Sequence, residues 1–195
     1  SAHGKVLVMF PMISSIEEFR LAVHAVEDAK SELKSERVRY DEAIPVGAMI
    51  ETPAAAIVSD LLAKEAAFFS IGSNDLIQYA IAVDRGNQST NYLYEPLHPA
   101  ILRLLRTVVE HAHAARIDVT VCGEIAADPL VGMLLLGLGV DSLSMSPVSL
   151  AEAKRMIRAT TYEEARAAAQ EALTLPTAQA VKELVRSRIG GRLTA

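Results

Sequence analysis

The sequence has little cysteine, few aromatic residues and no excess of basic residues, and each scarcity excludes a class of protein. One cysteine among 195 residues cannot form an internal disulfide framework and is typical of the reducing cytoplasm, where we expect this protein. Aromatic residues make up 5% of the chain and tryptophan is absent, so no stacking platform for nucleic acid is evident. The net charge of −5 also argues against nucleic acid or an anionic membrane surface as a partner.

Long uninterrupted apolar runs are missing as well. The longest run, residues 131–140, is broken by glycines and is too short to span a bilayer. No basic-then-apolar leader opens the chain, and we therefore expect no membrane insertion. The sequence is 51% hydrophobic, which suffices for one core, so a single domain over residues 1–195 is predicted. Ser1 stands where an intact reading frame would have methionine, which is compatible with a piece of a longer polypeptide.

Five short apolar segments predict buried strands. They lie at residues 6–9, 46–50, 67–71, 119–122 and 142–145. All but the weak last segment lack the apolar–polar alternation of a half-exposed sheet, which favours parallel strands covered by helices. Helical patterns separate the strands, and extra helices follow the last one. The predicted fold class is therefore α/β.

Capping signals mark where the predicted helices begin. They are Ser14 and Ser15 with the glutamates three residues on, Thr52-Pro53, Pro99, Asp128-Pro129, Ser149 with Glu152, and Thr161 with Glu164. Gly190-Gly191 predicts the end of the last helix. Residues 83–97 have no strong periodicity, and a connection of that length in an α/β domain is often functional.

Five parallel strands are compatible with two architectures. Either the sheet is open and doubly wound, or the chain is the later part of a (β/α)₈ TIM barrel, because five strands are too few to close a barrel of eight. A barrel cut in this way would expose two strand edges that something must cover.

Acidic side chains follow two of the predicted strands. In a parallel α/β fold, the residues after each strand collect at one rim, where ligands bind. Glu51 and Asp75 end neighbouring strands, and two converging carboxylates with open positions between them are a candidate Mg²⁺ site. Each carboxylate could instead cap the helix that follows it, which the spacing alone slightly favours.

Three further residues are candidates at the same rim. Asn74, with the backbone amides of Gly72-Ser73 at a helix start, suits a phosphate or carboxylate, or forms an ordinary capped turn. Cys122 closes the fourth strand, where its thiol could protonate a carbanion or act as a nucleophile, or could be a small buried apolar group. Arg85 could clamp a phosphate, or could be a solvated loop residue paired with Asp84.

Several separate motifs, in the right order, resemble those of one known family. They are Met9-Phe10-Pro11-Met12, residues 49–55, residues 68–76 with Gln78-Tyr79, Asp84-Arg85-Gly86-Asn87 and Cys122-Gly123-Glu124. Over residues 4–161 the chain resembles enzyme I of the bacterial sugar phosphotransferase system, the phosphoenolpyruvate–protein phosphotransferases. Pyruvate phosphate dikinases and phosphoenolpyruvate synthases share much of the pattern, but the motif around Arg85 and the glutamate after Cys122-Gly123 are more similar to enzyme I.

The resemblance implies a (β/α)₈ barrel that binds phosphoenolpyruvate, of which this chain holds the later strands. Matched by motif, Glu51 and Asp75 would hold Mg²⁺, Asn74 and Asp75 would contact the substrate, and Arg85 would bind the phosphate. Cys122 would protonate the enolate at its methylene carbon, giving pyruvate. Two further phosphate-binding arginines and the acceptor histidine of the family have no match in this sequence, so we expect the chain alone to be inactive.

The resemblance also implies partners. Enzyme I passes the phosphoryl group to a histidine-containing phosphocarrier protein, and the family dimerises through this domain, so a homodimer is expected. Two alternatives stay open. One is dikinase or synthase chemistry on the same fold, for which an accompanying nucleotide-binding domain would decide. The other is a shortened, non-catalytic paralogue that serves dimerisation or regulation.

Overall fold

One parallel sheet forms the centre of the molecule. The computed structural model describes residues 4–84 and 86–193, and its account of side chains ends at residue 188. The strands of the sheet are β1 (Val8–Phe10), β2 (Val46–Ile50), β3 (Phe69–Gly72), β4 (Val119–Cys122) and β5 (Ser142–Leu143). The predictions for β2 and β4 are confirmed to the residue, whereas β1 and β3 begin two residues later than predicted and β5 is shorter.

The order of the strands decides between the two predicted architectures. Neighbours in the sheet are neighbours in sequence, in the order β1-β2-β3-β4-β5, and every pair is parallel. A doubly wound sheet reverses its strand order at a switch point, which this sheet does not do. Strands added always on the same side are the arrangement of a (β/α)₈ barrel. The sheet is not closed, because β1 and β5 form its edges, so the fold is a partial barrel.

Helices cover the sheet between and after the strands. They are α1 (Ile16–Ser35), α2 (Pro53–Ile57), α3 (Ser59–Leu62), α4 (Ser73–Ile81), α5 (Pro99–Ala114), α6 (Glu124–Ala127), α7 (Pro129–Leu138), α8 (Leu150–Ala159), α9 (Tyr162–Ala172) and α10 (Ala178–Leu193). Single 3₁₀ turns lie at Asn91–Leu93 and Pro147–Ser149. Within the described ranges, no helix is both long enough and apolar enough to cross a membrane.

Most of the capping signals are used as predicted. The Ser15 hydroxyl accepts a hydrogen bond from the Glu18 amide at the start of α1. Thr52 caps α2, Asp128 caps α7, and Thr161 forms a reciprocal capping box with its glutamate at the start of α9. The caps of α1 and α2 fix the points at which the chain enters a helix after β1 and β2, and those of α7 and α9 fix helix starts that follow another helix.

Two predictions at the C-terminal end are wrong. Ser149 makes no capping hydrogen bond, because the 3₁₀ turn before α8 already holds it in helical conformation. Helix α10 continues through Gly190 and Gly191 to Leu193. Glycine inside a helix costs only about 1 kcal/mol, and it ends a helix when it adopts a left-handed conformation, as Gly139 does after α7.

The sheet has two chemically different faces. The face towards the helices is apolar, and its central side chains are fully buried: Ala48, Ile50, Phe69, Ile71, Val119 and Val121. On the opposite face, here called the inner face, Met49, Ser70, Thr120 and Ser142 are register partners across four strands. The hydroxyls of Thr120 and Ser142 are 2.6 Å apart. In β3, β4 and β5 the inner face therefore carries small and polar groups towards the mouth at the carboxyl ends of the strands.

Helix α7 provides a matched pair of substitutions that tests the packing of α7 against α9. A methyl group at Gly137 would collide with the backbone carbonyl of Ala165, whereas one at Gly132 would lie 2.9 Å from the mobile end of the Met156 side chain. The backbone of α9 cannot move aside as easily as the end of the Met156 side chain can. We expect Gly137→Ala to lower the free energy of unfolding by about 2 kcal/mol or more, although alanine favours helices.

Gly132→Ala is the control, and we expect it to change the free energy of unfolding by less than about 1 kcal/mol. Urea denaturation followed by circular dichroism measures both values. Equal effects of the two substitutions would show that α7 and α9 do not approach as closely as the structure shows.

Candidate active site

Glu51, Gly72 and Cys122 form a row across the ends of β2, β3 and β4. Gly72 is the register partner of Cys122, and Glu51 follows Ile50, the partner of Ile71. A Cβ atom on Gly72 would lie 2.8 Å from the Glu51 Cβ and would collide with its carboxylate. The carboxylate of Glu51 therefore occupies the space above Gly72, in the middle of the row.

Glu51 is a buried acid held by the loop after β1. Its side chain is 3% exposed, and Oε1 accepts a hydrogen bond from the backbone amide of Met12 at 2.7 Å. Met12 adopts a left-handed conformation with φ of 56°, which is uncommon for a residue other than glycine. Glu51 does not cap α2, since Thr52 performs that role. The carboxylate is thus oriented for a purpose other than capping the helix that follows it.

Asp75 brings a second carboxyl group to Glu51. Asp75 lies in the first turn of α4. Burial raises the pKa of the Glu51 carboxyl above its usual value of 4.5, the Met12 amide partly offsets this, and the adjacent Asp75 carboxyl raises the pKa further by charge repulsion and hydrogen bonding. Two acids that repel each other at a partly enclosed mouth form a site that a divalent cation would stabilise.

The donor set also favours one kind of cation. In the part of the chain that the structure describes, no group of three or more histidine, cysteine, aspartate or glutamate side chains converges on one point. Zinc sites use three or four such ligands. Mg²⁺ is commonly held by one or two carboxylates, with water and substrate oxygens completing its coordination. The pair formed by Glu51 and Asp75 therefore fits Mg²⁺.

Two side chains at the start of α4 tie this helix to the turn between β4 and α6. The Ser73 hydroxyl donates to the Cys122 carbonyl at 2.6 Å, and the Asn74 Oδ1 accepts from the Glu124 amide at 3.2 Å. Between these bonds lies Gly123, whose φ of 100° suits glycine. Because its oxygen is engaged, Asn74 presents its NH₂ group as a donor. This arrangement suits an anionic ligand near the start of α4.

The thiol of Cys122 is partly exposed on the inner face. Its Sγ donates to the Ile71 carbonyl at 3.4 Å and accepts from the Ser70 hydroxyl at 3.7 Å. A thiol at this position can reach a ligand bound at the mouth, which a fully buried side chain could not.

Arg85 lies outside the described residues, so the predicted phosphate contact stays a prediction. The carboxylate of Asp84, its predicted alternative partner, accepts a hydrogen bond from the Gly86 amide at 2.7 Å.

A separate cleft lies at the other end of the sheet. Its volume is about 600 Å³, and it is bounded by α5, α7 and α9. Its lining includes His113, which contacts Asp141 at 3.0 Å, and Arg106, which pairs with Glu110. Asp141 precedes β5, so this cleft lies at the amino edge of the sheet. Ligand chemistry in parallel α/β folds belongs to the carboxyl edge, and the row at Glu51 is the stronger candidate.

Sequence reasoning missed the partners of the candidate residues. It found Glu51, Asn74, Asp75 and Cys122 as strand-end residues, and the structure brings all four to one mouth. The roles of the Met12 amide and of the two serine hydroxyls in β3 and α4 depend on strand register and loop conformation. No residue type or spacing in the sequence signals them.

Comparison with known proteins identifies the family of this chain. The model of the family described as "PEP-utilising enzyme, PEP-binding domain" matches residues 1–162. The chain belongs to this family. It is 46% identical over 185 residues to the phosphoenolpyruvate-protein phosphotransferase of Haemophilus influenzae and 43% identical to that of Staphylococcus carnosus. In both cases the match covers 95% of this chain but only 32% of the relative. The resemblance to enzyme I is thereby confirmed.

A solved structure supports the fold alone. A citrate lyase from Burkholderia xenovorans superposes on this chain with a TM-score of 0.59 at 15% sequence identity. The superposition covers 95% of this chain and 63% of the lyase.

The raised pKa of Glu51 predicts that its charge destabilises the metal-free fold. The folded state holds this proton more tightly than the unfolded chain, so the stability linked to it is present below pH 4.5 and is lost as the pH rises through the raised pKa. At pH 7 without divalent ions, Glu51→Gln should therefore raise the free energy of unfolding. Glutamine retains an oxygen that can accept the Met12 hydrogen bond.

Glu18→Gln is the control of opposite sign. Hydrogen bonds from Ser14 lower the pKa of Glu18, so its charge stabilises the fold above that pKa and the contribution is lost as the pH falls through it. Urea titrations at pH 7 should therefore show Glu18→Gln as neutral or destabilising. A destabilising effect of Glu51→Gln in metal-free buffer would contradict the account of the acid pair.

Proposed function

We propose that this chain forms the phosphoenolpyruvate-binding part of a phosphoenolpyruvate–protein phosphotransferase, enzyme I of a sugar phosphotransferase system. The reaction is Mg²⁺-dependent transfer of the phosphoryl group to a protein histidine, with pyruvate as the other product. One observation carries this proposal: the row of Glu51, Gly72 and Cys122 places an acid pair and a thiol at opposite sides of one mouth.

Glu51 and Asp75 are the residues that would hold Mg²⁺. Their carboxylates are oxygen ligands, they already face each other, and the repulsion between them is relieved by a dication. When bound, Mg²⁺ supplies positive charge for the phosphate and enolate oxygens, whose negative charge grows during transfer.

The remaining residues bind the substrate and move one proton. The Asn74 NH₂ group and the start of α4 donate to the anionic substrate, and Arg85 binds the phosphate. After transfer, the Cys122 S–H bond breaks and its proton joins the methylene carbon of enolpyruvate. Protonation at carbon makes pyruvate and draws the transfer towards the phosphorylated histidine.

The histidine that accepts the phosphoryl group lies outside the mouth described here. Of the four histidines described, His24 is exposed on α1, His98 caps α5, His111 contacts the buried Ser59, and His113 contacts Asp141. None of these contacts involves Glu51, Asp75 or Cys122. We therefore assign the acceptor to another part of the enzyme, which then phosphorylates a histidine-containing phosphocarrier protein. The unpaired edges of β1 and β5 favour association of the chain, as in the expected homodimer.

Calorimetry tests the ligand site. We expect phosphoenolpyruvate to bind weakly and only with Mg²⁺, and Glu51→Gln to reduce its affinity about tenfold or more. Cys122→Ser should retain binding, because the thiol acts on the product carbon and not on the phosphate. Binding should also weaken as the pH falls through the raised pKa of Glu51, since a protonated carboxyl cannot hold the metal. Equal binding by wild type and Glu51→Gln would remove the proposed role of the acid pair.

The isolated chain should have no phosphoryl transfer activity of its own. The chain spans about a third of the length of its relatives, its sheet is an open part of a barrel, and we assign the acceptor to another part of the enzyme. We expect no pyruvate production above the rate of spontaneous hydrolysis when the chain is incubated with phosphoenolpyruvate and Mg²⁺. A coupled lactate dehydrogenase assay measures this, and sustained turnover by the chain alone would contradict the assignment of the acceptor.

A further inference from the structure

The hydroxyl of Ser70 is buried on the inner face next to the thiol. Ser70 lies in the middle of β3 and is 6% exposed. Its Oγ donates to the Cys122 Sγ at 3.7 Å. Among residues 4–84 and 86–188, the sulfur of Cys122 is the hydrogen-bond partner of the Ser70 hydroxyl. Neutral sulfur is a weak acceptor, so this bond compensates poorly for the burial of a hydroxyl as long as Cys122 keeps its proton.

The two contacts of the thiol favour different protonation states. The bond from Sγ to the Ile71 carbonyl requires the proton on sulfur. If the proton leaves, the carbonyl oxygen repels the thiolate. The bond from Ser70 behaves in the opposite way, because a donor to an anion forms a charge-assisted hydrogen bond about twice as strong as a neutral one. Ser70 is therefore the neighbour that favours the thiolate.

The charged groups around the thiol increase the importance of this donor. Glu51 at the end of β2, Asp75 in α4 and Glu124 at the start of α6 are the titratable side chains that the neighbouring described elements bring to the mouth. The residues of β3 and β5 add none. All three groups are acids, and negative charge nearby disfavours a thiolate.

We propose that Ser70 is a positioning residue that stabilises the Cys122 thiolate after proton delivery. This inference rests on the proposed function. In the step concerned, the S–H bond breaks and a C–H bond forms from the electron pair of the enolpyruvate double bond. The enolate oxygen becomes the carbonyl of pyruvate, and the negative charge passes to sulfur. Ser70 holds that sulfur on the inner face until solvent returns a proton.

The single cysteine permits a direct test on the 195-residue chain. The rate of alkylation by iodoacetamide is measured against pH in buffer with a chelator. Because the chain has one cysteine, the thiol that reacts is that of Cys122. We expect Ser70→Ala to move the pH midpoint of the alkylation rate upward by about one unit. Ser142→Ala is the matched control. It removes a hydroxyl from the same face that contacts Thr120 and not the thiol, and it should leave the midpoint in place.

A second pair of variants guards against misfolding of Ser70→Ala. Threonine and valine have the same shape, so Ser70→Thr and Ser70→Val differ only in the hydroxyl. We expect the threonine variant to keep the wild-type midpoint and the valine variant to show the upward shift. A folded alanine or valine variant with an unchanged midpoint would overturn the inference.

The readout is independent of phosphoenolpyruvate. Ligand binding by the chain together with an unchanged midpoint would refute the role of Ser70 alone. A shifted midpoint without any Mg²⁺-dependent binding would refute the proposed function while leaving the Ser70–Cys122 interaction established.

Discussion

The space above Gly72 is the constraint on which the candidate site depends. Any side chain at this position would displace the carboxylate of Glu51, because a Cβ atom there already collides with it. With the space free, the acid lies over β3 and meets Asp75 from α4, while Cys122 stands on the far side of the same row. The site therefore depends on a glycine at the end of the middle one of three neighbouring strands.

The sequential parallel sheet explains why such a row exists. Each strand delivers its last residue to the same edge. Side-chain caps from Ser15 and Thr52 fix the starts of the helices that follow β1 and β2. Hydrogen bonds from Ser73 and to Asn74 then join the start of α4 to the turn after β4. The apolar face of the sheet supplies the stability, which leaves the inner face free to carry small and polar groups.

Residue types and spacing were enough to predict the strands, most caps and the residues at the mouth. The bounds of β2 and β4 follow from their β-branched apolar runs, and Glu51 and Cys122 follow directly from those bounds. The hydrogen bonds of the site were not predictable in the same way, because they join residues about 39 to 52 positions apart through strand register. The left-handed conformation of Met12 was not predictable either, because methionine rarely adopts it. In this conformation, the Met12 amide donates its hydrogen bond to Glu51. The prediction for Ser149 failed because a 3₁₀ turn before α8 replaced the cap.

The central claim is that the acid pair and the thiol share one mouth. The most direct measurement labels Cys122 with a methylthio group and follows the NMR signal of that methyl group as Mn²⁺ replaces Mg²⁺. The account predicts strong paramagnetic broadening in the wild-type chain and a sharp signal after Glu51→Gln at the same Mn²⁺ concentration. A signal that stays sharp in the wild type while Mn²⁺ is demonstrably bound would place the cation away from the thiol and contradict the account.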